Sequence, residues 1–291
     1  MKASVILPTK DRGEAILPTL ASLQALVVHE PWELVIVDNC SGADSRALLQ
    51  QWAIAHPQGV RYVSEPKLGL NNARNCGIRH STGEIVAFLD DDATVPPYWL
   101  QNILNHFAAR PQAYALGGKV IAQFASPPPP WIDERLGLYI SNFDRGEEVE
   151  KLRYNDYPRG ANMALRREAF ARCGYFLDCF DRKGRSLMSY GDIEMCYRID
   201  RAGFEVWYVP DAEVLHHIRG DRLTEKWFEQ RFYWQGRSEG LFELLHFGRP
   251  HVRARWRERW PKCFEGDRYD QFFYRGWVVA ILRNYFRRHF V

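Results

Sequence analysis

What the chain lacks narrows its identity first. Nowhere do eighteen apolar residues run together, so no segment reads as a membrane-spanning helix. The opening Met1 to Arg12 has too short an apolar stretch for a secretory signal, cut off by Pro8 and then by Lys10, Asp11 and Arg12. The six cysteines (Cys40, Cys76, Cys173, Cys179, Cys196 and Cys263) include no CxxC pair, which excludes a zinc knuckle or a dithiol redox motif; they are expected to be reduced thiols of a cytosolic protein. Neither sign of charge dominates, with 39 Lys or Arg against 36 Asp or Glu. A formal net charge of +3 over 291 residues gives no reason to expect a nucleic-acid partner. No internal repeat is visible. With 46% hydrophobic and 26% charged residues the chain is not disordered and can bury the core of one large domain carrying a small appendage.

The apolar pattern alternates between two periods. Ala3–Leu7, Trp32–Val37, Val60–Val63 and Ile85–Leu89 are short apolar, partly β-branched runs and are predicted strands. Between them Ile16, Leu20, Leu23 and Val27, then Leu48, Leu49, Trp52 and Ala53, recur at helical spacing, and residues 72–80 form a third helix. Pro96-Pro97 opens another, running to about Arg110. Further strands are expected over Ala115–Ala122 and Val206–Val209, with a helix after Gly191. Ser126 to Trp131, with four prolines, is a surface excursion, and residues 133–157 suit a mobile lid or acceptor-side loop. The expected fold is α/β: a single, mostly parallel central sheet flanked by helices, with a helical C-terminal appendage.

In open sheets of this kind ligands sit beyond the carboxyl ends of the strands. The polar clusters at residues 8–12, 38–41 and 90–92 all follow strands at that end and therefore converge on one crevice. The most informative is Asp90-Asp91-Asp92. Three adjacent carboxylates repel one another unless a cation or a donor network neutralises them, and a hard divalent ion such as Mg²⁺ or Mn²⁺ is held by such oxygens together with substrate phosphates. A solvated acidic loop or a helix N-terminal cluster is the plainer alternative. In an extended strand Asp90 and Asp92 would share a side, but a turn toward Pro96 breaks that parity.

At this point the chain resembles the inverting glycosyltransferases of family 2, which have a GT-A fold. The matching stretches run in order: Pro8-Thr9 with Arg12; Val37-Asp38-Asn39-Cys40-Ser41; Gly69 with Ala73-Arg74-Asn75 and Gly77; Phe88-Leu89-Asp90-Asp91-Asp92 with Pro96 and Trp99-Leu100. In the second half Arg159-Gly160-Ala161-Asn162-Met163-Ala164, Gly191-Asp192-Ile193-Glu194 with Arg198, and Pro210 to His216 follow. The resemblance spans roughly residues 3–220. It implies a nucleotide-diphospho-sugar transferase: residues 1–245 as the GT-A domain, with 1–115 the nucleotide-binding half and 116–245 the acceptor-binding half, and 246–291 as a basic, aromatic, helical extension.

The resemblance also implies roles. Pro8, Thr9, Arg12, Asp38, Arg74, Asp90 and Asp91 would contact the nucleotide, with Asp38 accepting from the base, Asp91 toward the ribose and Arg74 near the diphosphate. Asp92 would ligate a divalent cation, Mn²⁺ or Mg²⁺. His216 would be a further ligand or a diphosphate contact, with His217 second in line. Gly160, Asn162 and Glu194 would lie on the acceptor side, and Asp192 would be the general base, with Glu194 as the fallback. The family places Glu before that Asp, where this chain has Gly191. On the residues alone, Asp192 reads equally as a first-turn helix carboxylate, Arg74 as half of a surface ion pair and His216 as a structural histidine. Trp131, Tyr139, Phe143, Tyr154 and Tyr157 are candidates to stack on a sugar face.

The expected donor is a UDP-sugar and the acceptor a glycan, a lipid-linked sugar or a protein. Two other classes fit an acidic crevice: a metal-dependent nucleotidyltransferase or phosphohydrolase, and a non-catalytic nucleotide-sugar or carbohydrate-binding module. From Phe247 to Val291, eleven Lys or Arg against four Asp or Glu, interleaved with aromatics, suit either packing on the main domain or peripheral contact with anionic lipid at the inner face of the membrane, where Trp277–Phe290 would present one apolar helical face.

Overall fold

The computed structural model describes residues 1–154 and 156–286. The chain opens β1 (Ala3–Thr9), α1 (Leu17–Gln24), β2 (Trp32–Asp38), α2 (Ala43–Ala55), β3 (Val60–Ser64), α3 (Leu70–His80) and β4 (Ile85–Leu89). It continues with β5 (Ala93–Thr94), α4 (Trp99–Ala109), β6 (Ala113–Gly117), β7 (Val120–Phe124), α5 (Glu134–Gly137), β8 (Glu150–Leu152), β9 (Asn162–Arg166) and α6 (Glu168–Cys173). Last come α7 (Gly191–Arg201), β10 (Glu205–Tyr208), β11 (Val214–Ile218), α8 (Glu225–His246), α9 (Gly248–Arg259) and α10 (Arg268–Asn284).

The predicted α/β architecture is present, with helices flanking a mixed sheet. Eight strands run in the order β3-β2-β1-β4-β9-β6-β10-β8. The first four are parallel, and β9 lies antiparallel between β4 and β6. Every residue of β1 and β4 is buried, the mark of central strands covered on both faces. One apolar core extends from Ala3 to Phe242, joining the two halves of the domain.

A second sheet, β5-β11-β7, stands beside the main one. It arises where the sequence reads as one strand. The run Ala115–Ala122 breaks at Gly117-Gly118 into β6 and β7, which belong to different sheets. A Cβ at Gly118 would overlap the carbonyl of Ala212, and one at Gly117 would come within 2.8 Å of the Asn162 carbonyl. The two glycines thus let the chain change sheets under close backbone approach.

The C-terminal extension packs on the domain through α8. A Cβ at Gly236 would overlap the Phe273 carbonyl, one at Gly276 the Tyr233 carbonyl, and one at Gly240 would stand 3.0 Å from the Trp277 carbonyl. Small residues on both helices therefore bring α8 and α10 into backbone contact. Beside that seam Glu243 accepts hydrogen bonds from Trp277 Nε1 (2.9 Å), Arg255 (2.9 Å) and Arg259 (3.1 Å). The apolar face expected over Trp277–Phe290 is helical to Asn284; Phe290 lies outside the described residues.

Candidate active site

The acidic triplet leaves β4 in a turn, with the Ala93 N–H donating to the Asp90 carbonyl at 3.1 Å. The side chains therefore fan out. Asp90 opens into a cleft and stands 3.8 Å from Arg74. Asp91 turns inward to Arg12 Nε at 2.7 Å. Burial raises its carboxyl to about 6, and Asp92 adds to the rise against the pull of Arg12. Asp92 is 8% exposed: Oδ2 accepts from Arg12 and, at 3.2 Å, from Arg222. Burial would raise the Asp92 carboxyl, but His216 first, then Arg222 and Arg12, hold it well below the usual range.

Strand β11 brings His216 to Asp92. Its Nδ1–H donates to the Ile140 carbonyl at 3.2 Å, so Nε2, 3.1 Å from Asp92 Oδ1, meets that carboxylate across either a proton or a metal cation. One ligand atom from each of Asp90, Asp92 and His216 lies within 4.8 Å of the others. Two carboxylate oxygens and an orientated imidazole suit Mn²⁺ or Mg²⁺, with the Ile140 carbonyl fixing the tautomer. His217, by contrast, bonds Thr94 Oγ1 at 3.1 Å on the outer side of the strand.

Across the cleft stands Asp192, in the first turn of α7. Its Oδ2 accepts the Gly160 N–H at 2.7 Å and its Oδ1 the Ile193 N–H at 2.9 Å. The Gly160 carbonyl in turn accepts from Arg74 Nη2 at 3.2 Å. Position 160 has to be glycine, because a Cβ would overlap the Arg74 guanidinium and lie 3.1 Å from Asp192. Gly191 has a comparable reason: a Cβ there would sit 2.6 Å from Asn71 Oδ1. The Asn71 amide occupies the space that the family's usual Glu side chain would enter.

The cleft encloses about 330 Å³ and gathers Arg74, Asp90, Gly160, Asp192 and His216. Beside it a 220 Å³ pocket is lined by Pro8, Thr9, Asn39, Leu68 and Arg182. Several expected contacts are absent from both. Asp38 is fully buried, accepting from Ser41 N at 2.9 Å and Tyr62 Oη at 2.7 Å; its neighbour Asn39 faces the pocket instead. Arg12 and Asp91 are consumed by each other, so Arg12 serves to clamp the triplet. Asn162 is 1% exposed and spends its amide on Trp99, Lys119 and Ala212, tying the two sheets together. Glu194 is 0% exposed, in a bidentate pair with Arg198 (2.8 Å twice) and 3.1 Å from His246, so it faces the core rather than an acceptor. Of the five aromatics, Tyr139 lines the cleft; Tyr154 stacks on Phe242 and the Tyr157 hydroxyl donates to Asp200.

Sequence reasoning missed Arg182, Arg222, Arg231 and Glu239, which all line the cleft. The signal was weak: Arg231, Gln235 and Glu239 follow one another every fourth residue on one face of α8.

A family model described as "Glycosyl transferase family 2" matches residues 4–174. The chain is 29% identical over 251 residues, 84% of its length and 79% of the relative's, to a protein named glucosyl-dolichyl phosphate glucuronosyltransferase from Haloferax volcanii. It is 30% identical over 242 residues, 81% of its length and 74% of the relative's, to succinoglycan biosynthesis protein ExoM from Rhizobium meliloti. In fold it resembles the mannosyltransferase PcManGT from Pyrobaculum calidifontis, solved in complex with GDP-Man and Mn²⁺ (TM-score 0.62, 19% identity, covering 99% of this chain and 76% of that one).

Proposed function

The chain belongs to glycosyl transferase family 2, and on that premise we propose that it moves a sugar from a nucleotide-diphospho-sugar to an acceptor hydroxyl with inversion at the anomeric carbon. The observation that carries this reading is that Asp192 and the Asp90–Asp92–His216 cluster border one cleft. The nucleotide base would enter the pocket beside Thr9 and Asn39. Asp90, Asp92 and His216 would hold a divalent cation, which supplies charge neutralisation to the departing diphosphate. Arg74, anchored on Gly160, adds a second positive charge on that side. Asp192 takes the proton of the attacking hydroxyl. Its two backbone hydrogen bonds fix the carboxylate while leaving lone pairs free for the acceptor, and single displacement from that side inverts the configuration. The acceptor is a glycan or lipid-linked sugar, in keeping with the names of the relatives.

A panel of UDP-, GDP- and dTDP-sugars with Mn²⁺ or Mg²⁺, scored by binding and slow donor hydrolysis, tests the donor, with UDP the base expected and GDP that of the solved relative. Asp192→Asn should lower acceptor-dependent turnover by about 10²- to 10⁴-fold while donor affinity stays within about twofold. Metal-dependent donor binding without any acceptor-dependent turnover in the native chain would reduce the protein to a binding module.

We also propose a cytoplasmic location with peripheral contact at the inner membrane face. No described helix is long and apolar enough to cross a membrane. Arg249, Arg253 and Arg257 follow one face of α9, exposed, beside Tyr285 and the 85% exposed Phe286. With about 1 kcal/mol per arginine near an anionic surface, Arg253→Glu with Arg257→Glu should cut flotation with phosphatidylserine vesicles more than about tenfold. Unchanged flotation would remove the location proposal and leave the transferase reading intact.

A further inference from the structure

The arginines around the cleft fall into two sets. Arg12, Arg74, Arg222 and Arg259 each have a carboxylate partner: Asp91 and Asp92, Asp90, Asp92, and Glu239 with Glu243, respectively. Arg159, Arg182 and Arg231 form no ion pair among the described residues, although all three line the same cleft. Arg231 lies 5.8 Å over the Tyr139 ring with Nη1 at 3.4 Å from Ser189 Oγ, and Asp192 is close enough to favour its charge without forming an ion pair. Arg159 lies 4.9 Å over the Phe143 ring, and its Nε is buried without a partner.

These three cations are close enough to repel. Burial first, and then the charge of Arg182, push the Arg231 guanidinium down to about 10, with Arg159 acting in the same direction. An arrangement of like charges that costs energy in the free protein is stabilised when an anion enters. The facing carboxylate without an arginine is Asp192, which is committed to backbone donors and to the acceptor proton. The donor does not settle the imbalance, because the diphosphate of a nucleotide-sugar and a divalent cation carry equal and opposite charge. Arg182 stands where the nucleotide pocket meets the cleft, and Arg231 reaches into the cleft from α8.

We propose that Arg159, Arg182 and Arg231 form a binding site for an oxyanion that a substrate carries in addition to the donor's diphosphate: a phosphodiester on the acceptor, or a carboxylate on the transferred sugar. Both sources offer the planar or tetrahedral oxygens that a guanidinium fork grips with two hydrogen bonds. The inference rests on the transferase reading and narrows its substrate class to a charged one.

The test is calorimetric binding in the presence of Mn²⁺: octyl glucosyl phosphate against octyl glucoside with the preferred nucleoside diphosphate bound, and, with the nucleotide site left free, UDP-glucuronate against UDP-glucose. The native chain should prefer the charged member of one pair by about tenfold or more, the scale of a charge-assisted hydrogen bond. In Arg231→Gln that preference should fall below about threefold, with nucleoside diphosphate affinity changed less than about twofold. Arg159→Gln, outside the nucleotide pocket, should behave alike and gives a second readout if Arg231→Gln does not fold. The pair that shows the preference identifies the source of the anion. No preference in either pair, or variants that weaken the nucleoside diphosphate as much as the charged probe, would overturn the inference. Failure of the native chain to bind any nucleoside diphosphate with metal would instead overturn the transferase reading, and the inference with it.

Discussion

The two walls of the cleft are built on opposite electrostatic plans. On the strand side, Arg12, Arg222 and His216 crowd onto Asp91 and Asp92, so most charges there are met within the protein. On the helical side, Arg159, Arg182 and Arg231 form no ion pair among the described residues. A self-neutralised acidic cluster binds one hard ion and holds its geometry whether or not substrate is present. Unpaired arginines on a long helix and a loop depend on the substrate for their charge balance. The contrast separates a fixed catalytic centre from a surface that selects what comes to it.

Three substitutions probe that division, and the largest effect belongs to the strand side. Chelation of the native chain with EDTA should cost about 4 kcal/mol of transition-state stabilisation, about 10³-fold in turnover, with little change in thermal stability, whereas Asp92→Asn should lose as much turnover and also lower the Tm, because Arg12 and Arg222 lose a buried carboxylate. Retained turnover after chelation would break the comparison, since the acidic wall would then owe nothing to a cation. Glu194→Ala addresses the buried pair behind the helical side. It should cost about 3 kcal/mol in denaturant unfolding, near the low end for a broken buried ion pair because Arg198 reaches solvent, while the nucleoside diphosphate Kd of the folded fraction is unchanged. A normal unfolding midpoint with lost acceptor affinity would return Glu194 to the cleft. The smallest effect should come from Asn162→Ala. Three hydrogen bonds, from Trp99 on α4 and to the Lys119 and Ala212 carbonyls in the loops before β7 and β11, disappear, for about 2 kcal/mol, read as a lowered Tm with donor affinity intact.

Much of this was legible because the strand side is made of contiguous residues. Apolar runs ending in Pro8-Thr9, Asp38-Asn39 and Asp90-Asp91-Asp92 announce strands and place their polar ends together. The same contiguity limits resolution. Sequence order does not reveal that the turn at Asp90 sends Asp91 to Arg12 and Asp92 to His216, or that Asn39 rather than Asp38 meets the pocket. In the second half the motif Gly160–Asn162 contains a cleft residue and a core residue two positions apart, and Asp192 and Glu194 divide in the same manner, because each lies where an element turns away from the cleft. The helical wall was least visible. Arginines spaced along a helix look alike in sequence whether they meet water or a substrate, and only the packing of α8 decides it. The split between β6 and β7 escaped for a related reason: the requirement for Gly118 is set by Ala212, far along the chain.

The glycine seam between α8 and α10 has a practical consequence for dissecting the molecule. A chain cut after His246 would leave Gly236 and Gly240 bare in mid-helix, each costing about 1 kcal/mol relative to alanine, and would strip Glu243 of Trp277, Arg255 and Arg259. The arm carrying Arg231 and Glu239 would fray with it. Deletion therefore would not separate the proposed lipid contact from the proposed sugar transfer, since losing the tail also dismantles one side of the cleft. Exchanges on the outer surface of α9 leave that support standing.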